Sequence, residues 1–69
     1  MDLYYIVNII DHDNHIFIVD EDNEGTILWE GSAEEYGGQF DDEYSVNFLE
    51  AIENNIIIHC LSSKIKTED

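Results

Sequence analysis

Asp20-Glu21-Asp22-Asn23-Glu24-Gly25-Thr26-Ile27 is the densest run of chemistry-bearing side chains in the sequence, and its order matches the first half of an EF-hand calcium loop. Oxygen-bearing residues stand where the loop's first, third and fifth ligands belong, followed by glycine and, two places later, an aliphatic residue. The second half departs. Gly31 occupies the place of the bidentate glutamate, Glu30 falls one residue early, and the flanks His15 to Val19 and Thr26 to Trp29 read as strands where an EF-hand has helices. A calcium-binding module and a plain acidic hairpin turn are the two readings of this segment.

Asp11-His12-Asp13-Asn14-His15 offers two imidazoles and two carboxylates, the donor types that zinc accepts, but a structural zinc site needs four ligands in closed geometry and turns use these same residues. His59 and Cys60 are neighbours in a strand-like run and so point to opposite faces, which prevents their acting as a nucleophile pair. Their expected roles are a buried histidine and a small hydrophobe. There is no glycine-rich phosphate loop, no nucleophile motif and no acid and base placed together by spacing. The chain is expected not to be an enzyme and to hold no cofactor.

The elements that must position these residues are short. Leu3 to Ile10 is rich in β-branched and aromatic residues and is stopped by Asp11-His12-Asp13-Asn14, which predicts a first strand. His15 to Val19 and Thr26 to Glu30 predict two more, joined through Gly25. Ser32 and Glu35 have capping-box spacing, and Gly37-Gly38 can close a helical turn, although a loop fits residues 31 to 40 equally well. With Asp41 or Asp42 as N-cap, Tyr44, Phe48, Leu49 and Ile52 recur at helical intervals and predict one amphipathic helix ended by Asn54-Asn55. Asn55 to about Lys66 reads as a fourth strand. The expectation is one α+β domain over residues 1–69, with a four-stranded, mainly antiparallel sheet and one principal helix in the order β-β-β-α-β.

Two of the early strands carry apolar residues on both alternating faces, and one helix covers only one face of such a sheet. The other face is a candidate for a homodimer or a partner, unless residues 31 to 40 fold across it with Tyr36 and Phe40. At 69 residues the core is small and the stability margin slim. The apolar fraction of 43% nevertheless argues for a folded chain. Cys60 is the only cysteine, and no apolar run approaches the length of a membrane span, so the expected location is the cytoplasm.

Charge is the dominant feature. Two basic and seventeen acidic residues give a net charge of −15, and salt is expected to stabilise the fold against its own repulsion. Size scaling gives an accessible surface of about 4,400 Å², hence roughly 300 Å² per net charge. B-DNA comes to on the order of 100 Å² per charge, so placement matters more than number. Every acid except Glu68 and Asp69 lies in the first 53 residues, which contain no lysine or arginine, while Asn54 to Thr67 holds no acid and both basic residues, Lys64 and Lys66. Asp41, Asp42 and Glu43 suit the first turn of the expected helix. The 20–24 and 30–35 groups exceed what a turn requires. Carboxylates spaced along a strand or helix stand at separations comparable with those of phosphates, so they can occupy lysine and arginine sites built for a nucleic-acid backbone.

In size, acidity and the expected sheet with one helix, the chain resembles the phage-encoded DNA-mimic inhibitors, among them anti-CRISPR, anti-restriction and uracil-DNA glycosylase inhibitor proteins. The resemblance rests on composition across the whole chain and on no shared motif. It implies a non-enzymatic inhibitor that blocks the DNA- or RNA-binding site of a basic protein, a Cas effector or another defence nuclease, in the host cytosol, without itself binding nucleic acid. From the charge map, the expected partner-binding residues are Asp20, Glu21, Asp22, Glu24, Glu30, Glu34, Glu35, Asp41, Asp42 and Glu43, with Trp29, Tyr36 and Phe40 as apolar anchors. An immunity protein that neutralises a basic partner such as a nuclease toxin is the alternative, with the calcium-binding module as a third.

Overall fold

The computed structural model describes residues 3–62, so the expected continuation of the last strand toward Lys66 lies outside the described residues, as do Asp2 and Lys64. The fold is α+β. Helix α1 (Leu3–Ile9) leads into strand β1 (His15–Asp20), a 3₁₀ turn (Glu21–Asn23) and β2 (Thr26–Ser32). A second 3₁₀ turn (Ala33–Glu35) precedes β3 (Tyr44–Ile52) and β4 (Asn55–Ser62). Among the described residues there are one α-helix and four strands, as expected, but the first strand and the helix have exchanged identities. The order is α-β-β-β-β, not β-β-β-α-β.

Leu3, Ile6, Val7 and Ile10 recur at the i, i+3, i+4, i+7 spacing of a helical stripe. The first three are buried and Ile10 packs against them, while Tyr4, Tyr5, Asn8 and Ile9 face outward. A strand would have buried Tyr5 and Ile9 together with Val7. Seven residues are too few to hold a helix by propensity, so packing against the sheet carries it.

Residues 44–52 form a strand because β4 requires a partner and Glu53-Asn54 provides a tight turn between them. The helical spacing of Tyr44, Phe48, Leu49 and Ile52 mixes the two faces of a bulged strand. Val46 pairs with Cys60 and Phe48 with His59, so Asn47 is the extra residue and the alternation changes phase there. Asp41 and Asp42 cap no helix; residues 41–43 are a turn, in which the Tyr44 amide donates to the Phe40 carbonyl at 3.1 Å.

The sheet order is β2-β1-β4-β3, with β1 parallel to β4 and the outer pairs antiparallel. Going from β2 at one edge to β3 at the other, the chain crosses one face through residues 33–43. That crossing and α1 cover the same face: Leu3, Ile6, Val7, Ala33 and Tyr36 join Ile16, Ile18, Val46, Ile58 and Cys60 in one core. Residues 31 to 40 therefore do not cover the second face. It carries His15, Phe17 and Val19 of β1, Ile57, His59 and Leu61 of β4, and Phe48 and Glu50 of β3, in alternation with the core positions.

Candidate functional site

Two of the acidic segments meet in space. The C-terminal ends of β1 and β4 lie side by side, with Asp20 opposite Cys60, and β3 begins beside them, with Tyr44 opposite Ser62. The 20–24 turn and the 41–43 turn thus share one end of the sheet. The Tyr44 hydroxyl donates to Asp20 Oδ2 at 3.1 Å across this junction. Its pKa is raised by burial first, then by the bond to Asp20 and by the charges of Asp20, Glu43 and Asp22.

Much of this acidity has a structural role that spacing alone did not reveal. Asp20 is buried, and its Oδ1 accepts from the Asp22 amide at 3.0 Å, capping the 3₁₀ turn. Its backbone carbonyl accepts from the Gly25 amide at 2.9 Å, closing a turn in which Glu24 and Gly25 both have positive φ. Asp22 Oδ2 accepts from the Ser62 amide at 2.8 Å, tying the turn to the end of β4. These donors are neutral amides, so they orient the carboxylates and leave their charge in place. Glu21 differs, because it meets the imidazole of His59.

Glu30, Glu34 and Glu35 lie elsewhere, and Asp41, although in the 41–43 turn, is bonded to the buried Tyr36. Glu34 and Glu35 sit at the opposite end of the sheet, where the Ala33 amide donates to the Asn14 carbonyl, and Glu35 Oε1 accepts from the Ser32 amide at 3.1 Å, as the capping-box spacing predicted. Glu30 lies on the open face, 3.2 Å from His15 Nε2. Asp41 Oδ1 accepts from the Tyr36 hydroxyl at 2.8 Å, and that hydroxyl oxygen accepts in turn from the Phe40 amide at 3.1 Å. Burial and the neighbouring Asp41 carboxylate hold the Tyr36 phenol neutral well above the usual tyrosine range.

Asp20 and Tyr36, expected at the partner interface, are therefore buried structural groups. Trp29 packs edge-on against Tyr36, with centroids 5.4 Å apart, and Phe40 likewise against Tyr44 at 6.1 Å, both half-buried beside the core. Glu21, Asp22, Glu24, Asp42 and Glu43 are the members of the expected set that the fold gathers at one end. The acid-free run from Asn55 to Ser62 forms β4, which lies between β1 and β3.

A second constellation was not anticipated as a site. On the open face His59 stacks on Phe48, with Glu21 at one ring nitrogen and Glu50 Oε1 2.9 Å from the other. Its signal in the sequence was the alternation of β4, which set His59 opposite in direction to Cys60. Cys60 is fully buried, and burial pushes its thiol up to about 11, so it is a small core hydrophobe at neutral pH.

Asp11 Oδ1 accepts from the Asp13 amide at 3.1 Å, an Asx turn within the histidine-rich segment considered for zinc. Among the described residues no group of three histidine, cysteine, aspartate or glutamate side chains is placed to hold a metal ion, and no helix is long and apolar enough to cross a membrane. Comparison of the chain with protein-family models, with curated proteins and with solved structures gives no match.

Proposed function

We propose that the chain is a non-enzymatic cytoplasmic inhibitor that occupies the nucleic-acid-binding site of a basic protein, in the manner of a phage anti-CRISPR protein acting on a Cas effector or another defence nuclease. The observation that supports this reading is the convergence of Asp22 and Glu24 with Asp42 and Glu43 at one sheet end, in a segment from Leu3 to Ser62 that contains no lysine or arginine. Asp22, whose Oδ2 accepts from the Ser62 amide, holds its carboxylate at a defined position, as a phosphate is held on a duplex. A groove lined with lysine and arginine gains by releasing its counterions to such a surface, with the steep salt dependence of DNA binding. Charge of one sign also speeds encounter with a basic partner.

The experiment is affinity capture from host lysate at low and high salt, with duplex DNA as competitor. Captured proteins are expected to be nucleic-acid-binding, to elute with salt and to be displaced by DNA. The double variant Glu24→Lys with Glu43→Lys is expected to weaken capture more than about tenfold, whereas Glu34→Lys at the far end changes it little. Capture that survives the double reversal removes this reading. Capture that is salt-sensitive but indifferent to DNA points instead to a protein neutralised through a cleft that nucleic acid does not fill.

A further inference from the structure

The outer edge of β3 is unlike the other edge of the sheet. β2 and β3 are the two margins, and among the described residues no strand lies beyond either. On β3, Phe48, Leu49 and Ile52 are 49%, 46% and 47% exposed, whereas β2 exposes one large hydrophobic residue, Ile27. Natural edge strands are blunted by lysine, proline, short length or a bulge. β3 is nine residues long and has neither lysine nor proline, and its bulge at Asn47 lies upstream of the exposed stretch. From Phe48 onward the strand pairs regularly with β4, Phe48 to His59 through Ile52 to Asn55.

We propose that the Phe48-to-Ile52 edge of β3 is a strand-addition site for an extended, basic segment of a partner protein. A strand placed there extends the sheet, with backbone hydrogen bonds supplying affinity and alternate side chains supplying specificity. Phe48, Glu50 and Ile52 line the open face of that edge, and Leu49 and Ala51 the other. A lysine or arginine of the incoming strand next to Glu50 meets a half-exposed carboxylate whose Oε1 is already held by His59, while its neighbours pack aliphatic groups on Leu49. The charge distribution selects this occupant. A second copy of the chain would set Glu50 and Glu53 against the same carboxylates, with no lysine or arginine between Leu3 and Ser62 to answer them. A nucleic acid would meet the same repulsion and has no strand to add. The site is separate from the acidic sheet end and does not depend on that reading.

The test uses the full-length chain, isotopically labelled, and a short capped peptide of alternating lysine and valine. Amide shift changes and slowed hydrogen exchange are expected to centre on Phe48 to Ile52. Alternate N-methylation of the peptide keeps its charge and removes its donors, and is expected to weaken binding about tenfold, the equivalent of one or two net hydrogen bonds. A glutamate–valine peptide is expected not to bind. The proposal is overturned by the absence of lysine–valine binding, by N-methylated and unmethylated peptides binding alike, or by perturbation confined to the 20–24 and 41–43 turns or to β2. It is equally overturned if sedimentation of the free protein shows a dimer whose β3 amides are already protected.

Discussion

His59 lies flat on Phe48, with ring centroids 4.1 Å apart and planes 9° from parallel, while its two nitrogens face carboxylates brought by two other elements. Glu21 comes from the turn after β1 and Glu50 from β3, so one side chain of β4 joins three parts of the fold. An ionised carboxylate only accepts hydrogen bonds. Two such acceptors require both ring N–H groups, which makes the imidazolium the form that fits. Between Leu3 and Ser62 there is no lysine or arginine to take its place.

This geometry sets a pH dependence. Burial by itself lowers the His59 pKa, but the hydrogen bonds and charges of Glu21 and Glu50 outweigh it and hold the group above its ordinary value. Stabilisation by the charged ring is therefore complete below the unfolded value of about 6.5 and is lost as pH rises through the higher folded value. Urea unfolding measured from about pH 6 to pH 9 is expected to show falling stability in the native chain and a nearly flat profile in His59→Gln. Parallel profiles would show that the clamp contributes nothing.

A second test concerns Asp20 and Tyr44, joined at 3.1 Å across 24 residues of sequence. Asp20 is 7% exposed, so removing its donor leaves a buried charge with one fewer partner. Tyr44→Phe is expected to cost about 2 kcal/mol in chemical denaturation. Asp20→Asn is expected to cost a similar amount, because the amide cannot serve both the Asp22 N–H and the phenol as well as a carboxylate does. The double variant should cost less than the sum of the two. Strict additivity would mean that the hydroxyl and the carboxylate do not interact in solution.

The N-terminal segment separates two readings of the same residues. Leu3-Tyr4-Tyr5-Ile6-Val7-Asn8-Ile9-Ile10 has the composition of a strand, and its helical stripe is concealed because the outward positions Tyr4, Tyr5 and Ile9 are also apolar. Ile6→Ala is expected to cost about 3 kcal/mol by opening a cavity against the sheet, and Ile9→Ser less than about 0.5 kcal/mol. A strand would reverse that order on the face shared by Tyr5, Val7 and Ile9. Thermal unfolding of the two variants decides it.

β1, β2 and β4 were legible because runs rich in β-branched and aromatic residues are bounded there by turn residues such as Asn14, Gly25 and Asn54-Asn55. Apolar residues on both faces disguised β3: with the bulge at Asn47, Tyr44, Val46 and Leu49 share one face and Phe48 and Ile52 the other, and the mixed set has helical spacing. The acidic site was half legible. Charge counting located the 20–24 and 41–43 groups, but their proximity depends on the parallel pairing of β1 with β4, a long-range contact that no local pattern encodes. The burial of Asp20 was hidden for the same reason, since its partner Tyr44 is 24 residues away in sequence.

Glu53 stands in the turn joining β3 to β4 with φ at +55°, a left-handed conformation that costs a residue with a Cβ roughly 1 kcal/mol. It also adds a negative charge to a chain already at −15. Glu53→Gly relieves the backbone and the repulsion, offset in part by the greater freedom of glycine in the unfolded chain. A net gain of about 0.5–1 kcal/mol is expected. Glu53→Gln removes the charge alone and should gain less, and that smaller gain should vanish when salt shortens the screening length from about 30 Å at 0.01 M to 3 Å at 1 M. The glycine variant should keep most of its advantage at high salt, because a dihedral preference is not screened. If both gains disappear together with added salt, the turn is limited by charge and not by its backbone.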